Sequence, residues 1–323
     1  MIGLRAASVL MILLTAAPAA AQPATQAAPE TVIVNGRRIP NTPNAIAHQV
    51  IRSIALPNVL LNQLGRWRIG ICPRTDGLSS RNLNDYVTAR IRAVAALAGA
   101  PVKAVPCKPN LEVVFSGDPQ SVLDWYHKTD IAALGYHGAR TVSRPIQVWY
   151  ETGTTDINGQ TIVDQDTMGT IEFTNGGGLV PSSSGRLVQE GMTITNGIPQ
   201  TAVEGWKGRP EVTSEILSVL ILADTRQTGG HRLGSIADHI AMIALSQVQA
   251  PENCQIVPSI IEEMMEGCDE GAKPQEISPG DIGYLRGLYK MDAGAALQIQ
   301  QDQIAGEMLK TDPGQTGLAA SGR

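Results

Sequence analysis

Side chains able to hold a metal ion or move a proton are few in this chain. Of its five histidines, only His231 and His239 stand near each other, and Asp238 precedes the second. Imidazole nitrogens with a carboxylate are an ordinary zinc-binding set, so these three are the candidates for a histidine-based metal centre. On a helix Asp238 and His239 would diverge by about 100°, a consequence of the 3.6-residue turn. A joint site is therefore awkward, and an ordinary polar contact is the plainer expectation for His239. The acids Asp118, Asp124, Glu151, Asp224 and Asp238 offer other chemistry, since two of them facing each other across a cleft could serve as glycosidase acid and base. Glu252, Glu262, Glu263, Glu266, Asp269 and Glu270 supply oxygens of the kind Ca²⁺ takes. They lack the alternating acidic loop that wraps the ion, and a solvated charged face is expected there.

Other chemistries find less support. The glycines at 176–178 are followed by no lysine–hydroxyl pair for phosphate, and no serine sits in a G-x-S-x-G elbow. Four cysteines, Cys72, Cys107, Cys254 and Cys268, permit three disulfide connectivities. Their order favours Cys72–Cys107, tying two neighbouring strands, with Cys254–Cys268 closing an acidic loop. No C-x-x-C occurs, which removes the usual redox and zinc-ribbon patterns.

Composition bounds the rest. A chain of 323 residues, 43% hydrophobic and 17% charged, can bury a full core. With 4% aromatic residues, that core must be mostly aliphatic. A formal net charge of -5 gives no basic footprint for nucleic acid. Arg5, the apolar residues 6–16 and Ala19-Ala20-Ala21 before Gln22 read as a secretory signal peptide over residues 1–21. The run is shorter than a membrane span, and no later run is long enough to cross a bilayer. Export to the periplasm or outside the cell fits the disulfides.

The elements that must position these residues follow from periodicity. Residues 22–50 read as a flexible linker with a short strand at 30–38, residues 51–310 as one domain and 311–323 as a disordered tail. A strand at 67–72 leads through a loop at 73–78 into a helix capped by Ser79 or Ser80 and stopped by Gly99. A strand at Leu111–Ser116 follows, then a helix opened by Asp118 or Ser121. Strand, helix and strand imply a right-handed crossover and a partly parallel sheet. Residues 145–152 alternate as a strand with a hairpin partner ending near Val163, and residues 174–200 have the composition of a mobile surface loop. Helices are expected at 211–223, 235–249, Pro279–Lys290 and 293–310.

Several segments in this order resemble a metzincin, a zinc-protease family. The opening strand–helix–strand from Leu64-Gly65-Arg66-Trp67 resembles the family's first βαβ unit. Pro258-Ser259-Ile260 followed by Met264 or Met265 resembles the approach to its methionine turn, and Ser278-Pro279-Gly280-Asp281-Ile282 its closing helix. The resemblance spans roughly residues 64–290. It implies an α/β (α+β) zincin-like fold, a mixed twisted sheet with packed helices. Aligned by it, Ala237 and Ala241 stand where the helix should carry zinc-binding histidines, Asp238 where the catalytic glutamate belongs, and Ala244 and Gln247 at the glycine and third histidine. Methyl groups offer no donor atom, so the resemblance implies fold without catalytic zinc and no cofactor. The chain is also similar to exported α-proteobacterial proteins whose helix has the same non-ligand residues. The expectation is an exported, non-catalytic binding or accessory protein of the cell envelope, partnered by a peptide or envelope protein, with a hydrolase using another site as the alternative.

Overall fold

The first helix begins inside the stretch that composition assigns to a linker. Thr42 caps it through the Ala45 N–H, Pro43 occupies its first turn, and Ile46, Ala47, Val50, Ile51 and Ile54 bury one stripe of α1 (Pro43–Ile54). These apolar positions recur at helical spacing, which outweighs the polar composition around them. The structure, a computed structural model, describes residues 42–58, 61–135, 139–155, 161–163, 180–181, 186–189, 192–195, 198–199, 212–269, 271 and 273–311. The signal segment, the strand expected at 30–38 and the tail from residue 312 lie outside the described residues. Among those described, no helix is long and apolar enough to cross a membrane.

The fold is mixed α/β. Its main sheet runs β2 (Pro73–Asp76), β3 (Leu111–Ser116), β10 (Thr213–Asp224), β4 (Ile146–Thr155) and β5 (Thr161–Val163), with the short β1 (Arg66–Trp67) also on β10. β1 and β3 pair in parallel with successive halves of β10, and β2 is parallel to β3. β4 is antiparallel to β10 on its other edge and to β5 at its end. The expected βαβ crossover is therefore present, but its first strand lies further along: residues 73–76, expected as a loop, alternate buried and exposed as β2. The helix expected at 211–223 is instead the central strand. Ile216, Val219, Leu220 and Ala223 fit a helical stripe, but Ile221 and Leu222 between them are equally sealed. A strand covered on both faces reads as a continuous apolar run, which periodicity alone does not separate from a buried helix. Within residues 174–200, expected as loop, the described pieces form an antiparallel meander of β6 (Val180–Pro181), β7 (Arg186–Gln189), β8 (Met192–Thr195) and β9 (Ile198–Pro199).

Alternation on β10 and β4 sorts the core into two layers. Leu220, Leu222 and Trp149 face Leu123 and Tyr126 of α3 (Pro119–Thr129), which Asp118 caps. Val219, Ile221 and Ala223 face the larger cluster with α2 (Arg81–Ala98), held between Ser80 and a left-handed Gly99 as the sequence predicts. That cluster surrounds α4 (Leu233–Leu245), every residue of which from Ser235 onward is buried. Beyond it, α5 (Pro279–Lys290) packs on α6 (Leu297–Thr311). A Cβ at Gly287 would lie 2.6 Å from the Ile304 Cα, so only glycine permits this approach of two helix backbones. The disulfides are Cys72–Cys107 and Cys254–Cys268, separated by 35 and 14 residues. Loops of that order restrict the unfolded chain by about 3 kcal/mol each.

Candidate binding cleft

The sequence ends α4 at Leu245 without a glycine, so its last carbonyls need partners from elsewhere. Side chains supply them. Met242 O accepts from Ser246 Oγ (2.7 Å), Ile243 O from Tyr150 Oη (2.7 Å), Ala244 O from Trp67 Nε1 (2.8 Å) and Leu245 O from Tyr289 Oη (2.7 Å). These bonds tie the helix end to β4, β1 and α5 at once. Burial pushes both tyrosine hydroxyls well above their ordinary range.

Tyr150 thus holds β4 beside α4, and between them opens a cleft of about 750 Å³. Val148, Trp149, Ile243, Val248, Ile261 and Met264 give it an apolar lining, with Arg144, Gln147, His239 and Gln249 among its polar residues. Residues 146–150 of β4 pair with β10 along one edge; on the other, among the described residues, no strand pairs with them, β5 joining only at Gly153. Gly135 (φ +63°) packs directly on the Tyr150 carbonyl, where a Cβ would lie 1.8 Å away. The turn after the short 3₁₀ segment Ile131–Leu134 therefore closes one end of this edge.

His239 lines the cleft while remaining 6% exposed. Its Nδ1 lies 3.0 Å from the Ile260 carbonyl, which can only accept, so Nδ1 carries the proton. Burial lowers the imidazole pKa from 6.5 to about 4, so the ring is neutral with Nε2 unprotonated. Among the described residues Nε2 has no hydrogen-bond partner, and it is not one of the sealed polar atoms.

Asp238, one residue away, is on the other side of the helix. Both its oxygens take the Arg90 guanidinium, Nη2 at 2.8 Å, and Oδ2 also accepts the Ile277 N–H at 2.8 Å. A carboxylate so engaged is a structural tie between α4, α2 and the segment before α5. The divergence expected between Asp238 and His239 is observed. Ala237 and Ala241 are sealed within the core and do not line the cleft, so the positions facing it are His239 and Ile243, two residues further along than the metzincin alignment places its ligands. Gln247 does line the cleft, with its Oε1 sealed and unpartnered.

The remaining sequence candidates are dispersed. His231 Nδ1 sits 3.0 Å from Glu263 Oε1 and His239 on Ile260, and the structure does not bring the two imidazoles into one cluster. Asp118 caps α3, Asp124 accepts from Gln120 Nε2 at 2.8 Å and Glu151 from Ser218 Oγ at 2.8 Å. Asp224 is held far below the usual carboxyl range by hydrogen bonds from Arg226. None of these acids lines the cleft. The acidic run is not simply a solvated face: Glu262 and Glu263 are buried, Glu262 accepting the Gln255 N–H, whereas Glu252, Glu266 and Asp269 are exposed. Glu270 lies outside the described residues. Among the described residues, Cys254, Glu262 and Cys268 place potential ligand atoms within 4.8 Å of one another. Both sulfurs are joined in the disulfide, and the thiolates that a metal would take are thereby used.

Sequence reasoning missed Arg90, Tyr150 and Arg144. Nothing in the local pattern marks Arg90, 148 residues from its partner. The alternation at 145–152 did mark β4, but which edge stays open depends on β10 and β5. The chain matches no protein-family model, and comparison with curated proteins and with solved structures gives no match.

Proposed function

We propose that this chain is an exported, non-catalytic binding protein of the cell envelope, zincin-like in the order of its elements, which takes an extended peptide along the open edge of β4. The observation that carries the reading is the juxtaposition, at residues 146–150, of an apolar cleft and a strand edge that no strand among the described residues pairs. An added strand would gain main-chain hydrogen bonds from the edge and place alternate side chains in the cleft. The two disulfides and the absence of a spanning helix among the described residues are compatible with such a location. Against hydrolysis stands the cleft wall itself, where, among the described residues, no carboxylate lines the cleft beside His239.

Proline substitution tests this reading through strand parity. Successive N–H groups on β4 point alternately to β10 and to the open edge. Of Gln147→Pro and Val148→Pro, one should break the β10 ladder and unfold the protein. The other should keep its circular dichroism and melting behaviour, yet lose at least tenfold in affinity for peptides selected from a random heptapeptide library. Selected peptides should be recovered uncut after incubation with or without chelator. Cleavage, or a folded edge variant that binds as tightly as wild type, defeats the proposal.

A further inference from the structure

Within the cleft the fixed tautomer of His239 has a consequence for what can be bound. The Ile260 carbonyl holds the Nδ1 proton at 3.0 Å, which leaves Nε2 as a bare acceptor in a cleft whose lining includes Ile243, Ile261, Val148 and Met264. A ligand group covering it must donate a hydrogen bond. An apolar group would strip water from the lone pair and leave it unpaired, and an acceptor would meet it lone pair to lone pair. A cationic donor would be desolvated beside a lining that, among the described residues, holds Arg144 and no carboxylate, which is costly without a counter-charge.

We propose that His239 is the specificity-determining residue of the cleft and selects peptides carrying one uncharged donor, a Ser or Thr hydroxyl or an Asn or Gln amide, between apolar neighbours. The inference rests on the peptide-binding reading and names the side chain which that reading leaves open. It assigns His239 a polar contact with the ligand, beyond the structural contact to Ile260.

The test pans a random heptapeptide display library on the purified full chain and synthesises the selected sequences in isosteric Thr and Val pairs at each position. Calorimetry on wild type should find one position where Thr→Val weakens binding about tenfold, as loss of one hydrogen bond to an otherwise buried acceptor predicts. On the His239→Leu variant the same pair should bind equally, the Val peptide no worse than to wild type. Should that variant fail to fold, ¹⁵N spectra of wild-type imidazoles decide the matter. His239 Nε2 should resonate as an unprotonated nitrogen in the free protein and shift towards the protonated position with the Thr peptide but not the Val peptide. Peptides that bind the β4 edge with no Thr–Val difference at any position overturn this inference and leave the edge reading standing. A library that yields no binder overturns both.

Discussion

Asp238 and His239 are consecutive residues on one buried helix, and the two sides of α4 treat them in opposite ways. On the Asp238 side every acceptor is satisfied, by Arg90 from α2 and by the Ile277 N–H. On the His239 side one ring nitrogen is fixed by Ile260 and the other is left open to a cleft. Both residues are buried, so burial does not separate structural polar groups from functional ones. Saturation of partners does: a polar atom whose valences are filled by protein has nothing left to offer a ligand.

The largest expected effect tests the closed side. Arg90→Leu leaves the Asp238 carboxylate buried with one backbone donor, and removing one partner of such a pair typically costs about 3–5 kcal/mol. Urea denaturation should show a loss in that range. Arg90→Leu with Asp238→Leu should recover most of it, because two apolar residues leave no charge unpaired. Asp238→Leu alone should cost less than Arg90→Leu, since the Arg90 side chain is 31% exposed and can turn to water. If the two single variants are equally stable to within error, the ion pair is not what closes this side.

The next effect concerns the open side and depends on pH. The unfolded imidazole of His239 takes its proton near 6.5 and the folded one near 4. Between those values the unfolded chain binds more protons, so stability is fully present above about pH 6.5 and falls as pH drops towards 4. A gap of that size corresponds to roughly 3 kcal/mol. Burial raises the carboxyls of Glu262 and Asp281, which gives a slope of opposite sign. The measurement is therefore the difference between wild type and His239→Leu in denaturation at pH 7.5 and pH 4.5, with wild type losing more. Parallel losses in the two proteins contradict the neutral, buried imidazole.

This comparison also shows where the sequence was informative. Local signals were enough for α2, with Ser80 and Gly99 at its ends, for β3, and for α5 with its Ser278–Asp281 capping box, because caps and alternation are written within a few residues. The order of cysteines was enough for the disulfides. β10 was not legible, because its burial on both faces erases the period that distinguishes strand from helix. The 100° divergence of Asp238 from His239 followed from helix geometry. Which of them faced the cleft did not, since that is settled by Arg90 and by β4, more than 80 residues distant in the chain.

The smallest effect compares two hydroxyls that serve carbonyls in the last turn of α4. Tyr150 donates at Ile243 O, with Ser246 O at 3.0 Å, and lines the cleft; Tyr289 donates at Leu245 O and does not line it. Removing a hydroxyl strands its carbonyl, at a cost of about 1–3 kcal/mol when water cannot replace the donor and less when it can. Tyr289→Phe should therefore lose about 2 kcal/mol and Tyr150→Phe about 1 kcal/mol in the same denaturation assay. Filling the cleft should reverse that order: with a saturating peptide present, water is excluded from the Ile243 carbonyl and Tyr150→Phe should become the more costly change. A Tyr150→Phe loss that exceeds the Tyr289→Phe loss in the free protein would mean that water does not reach the α4 carbonyls through the cleft, and the distinction between an open and a closed side of the helix would fail.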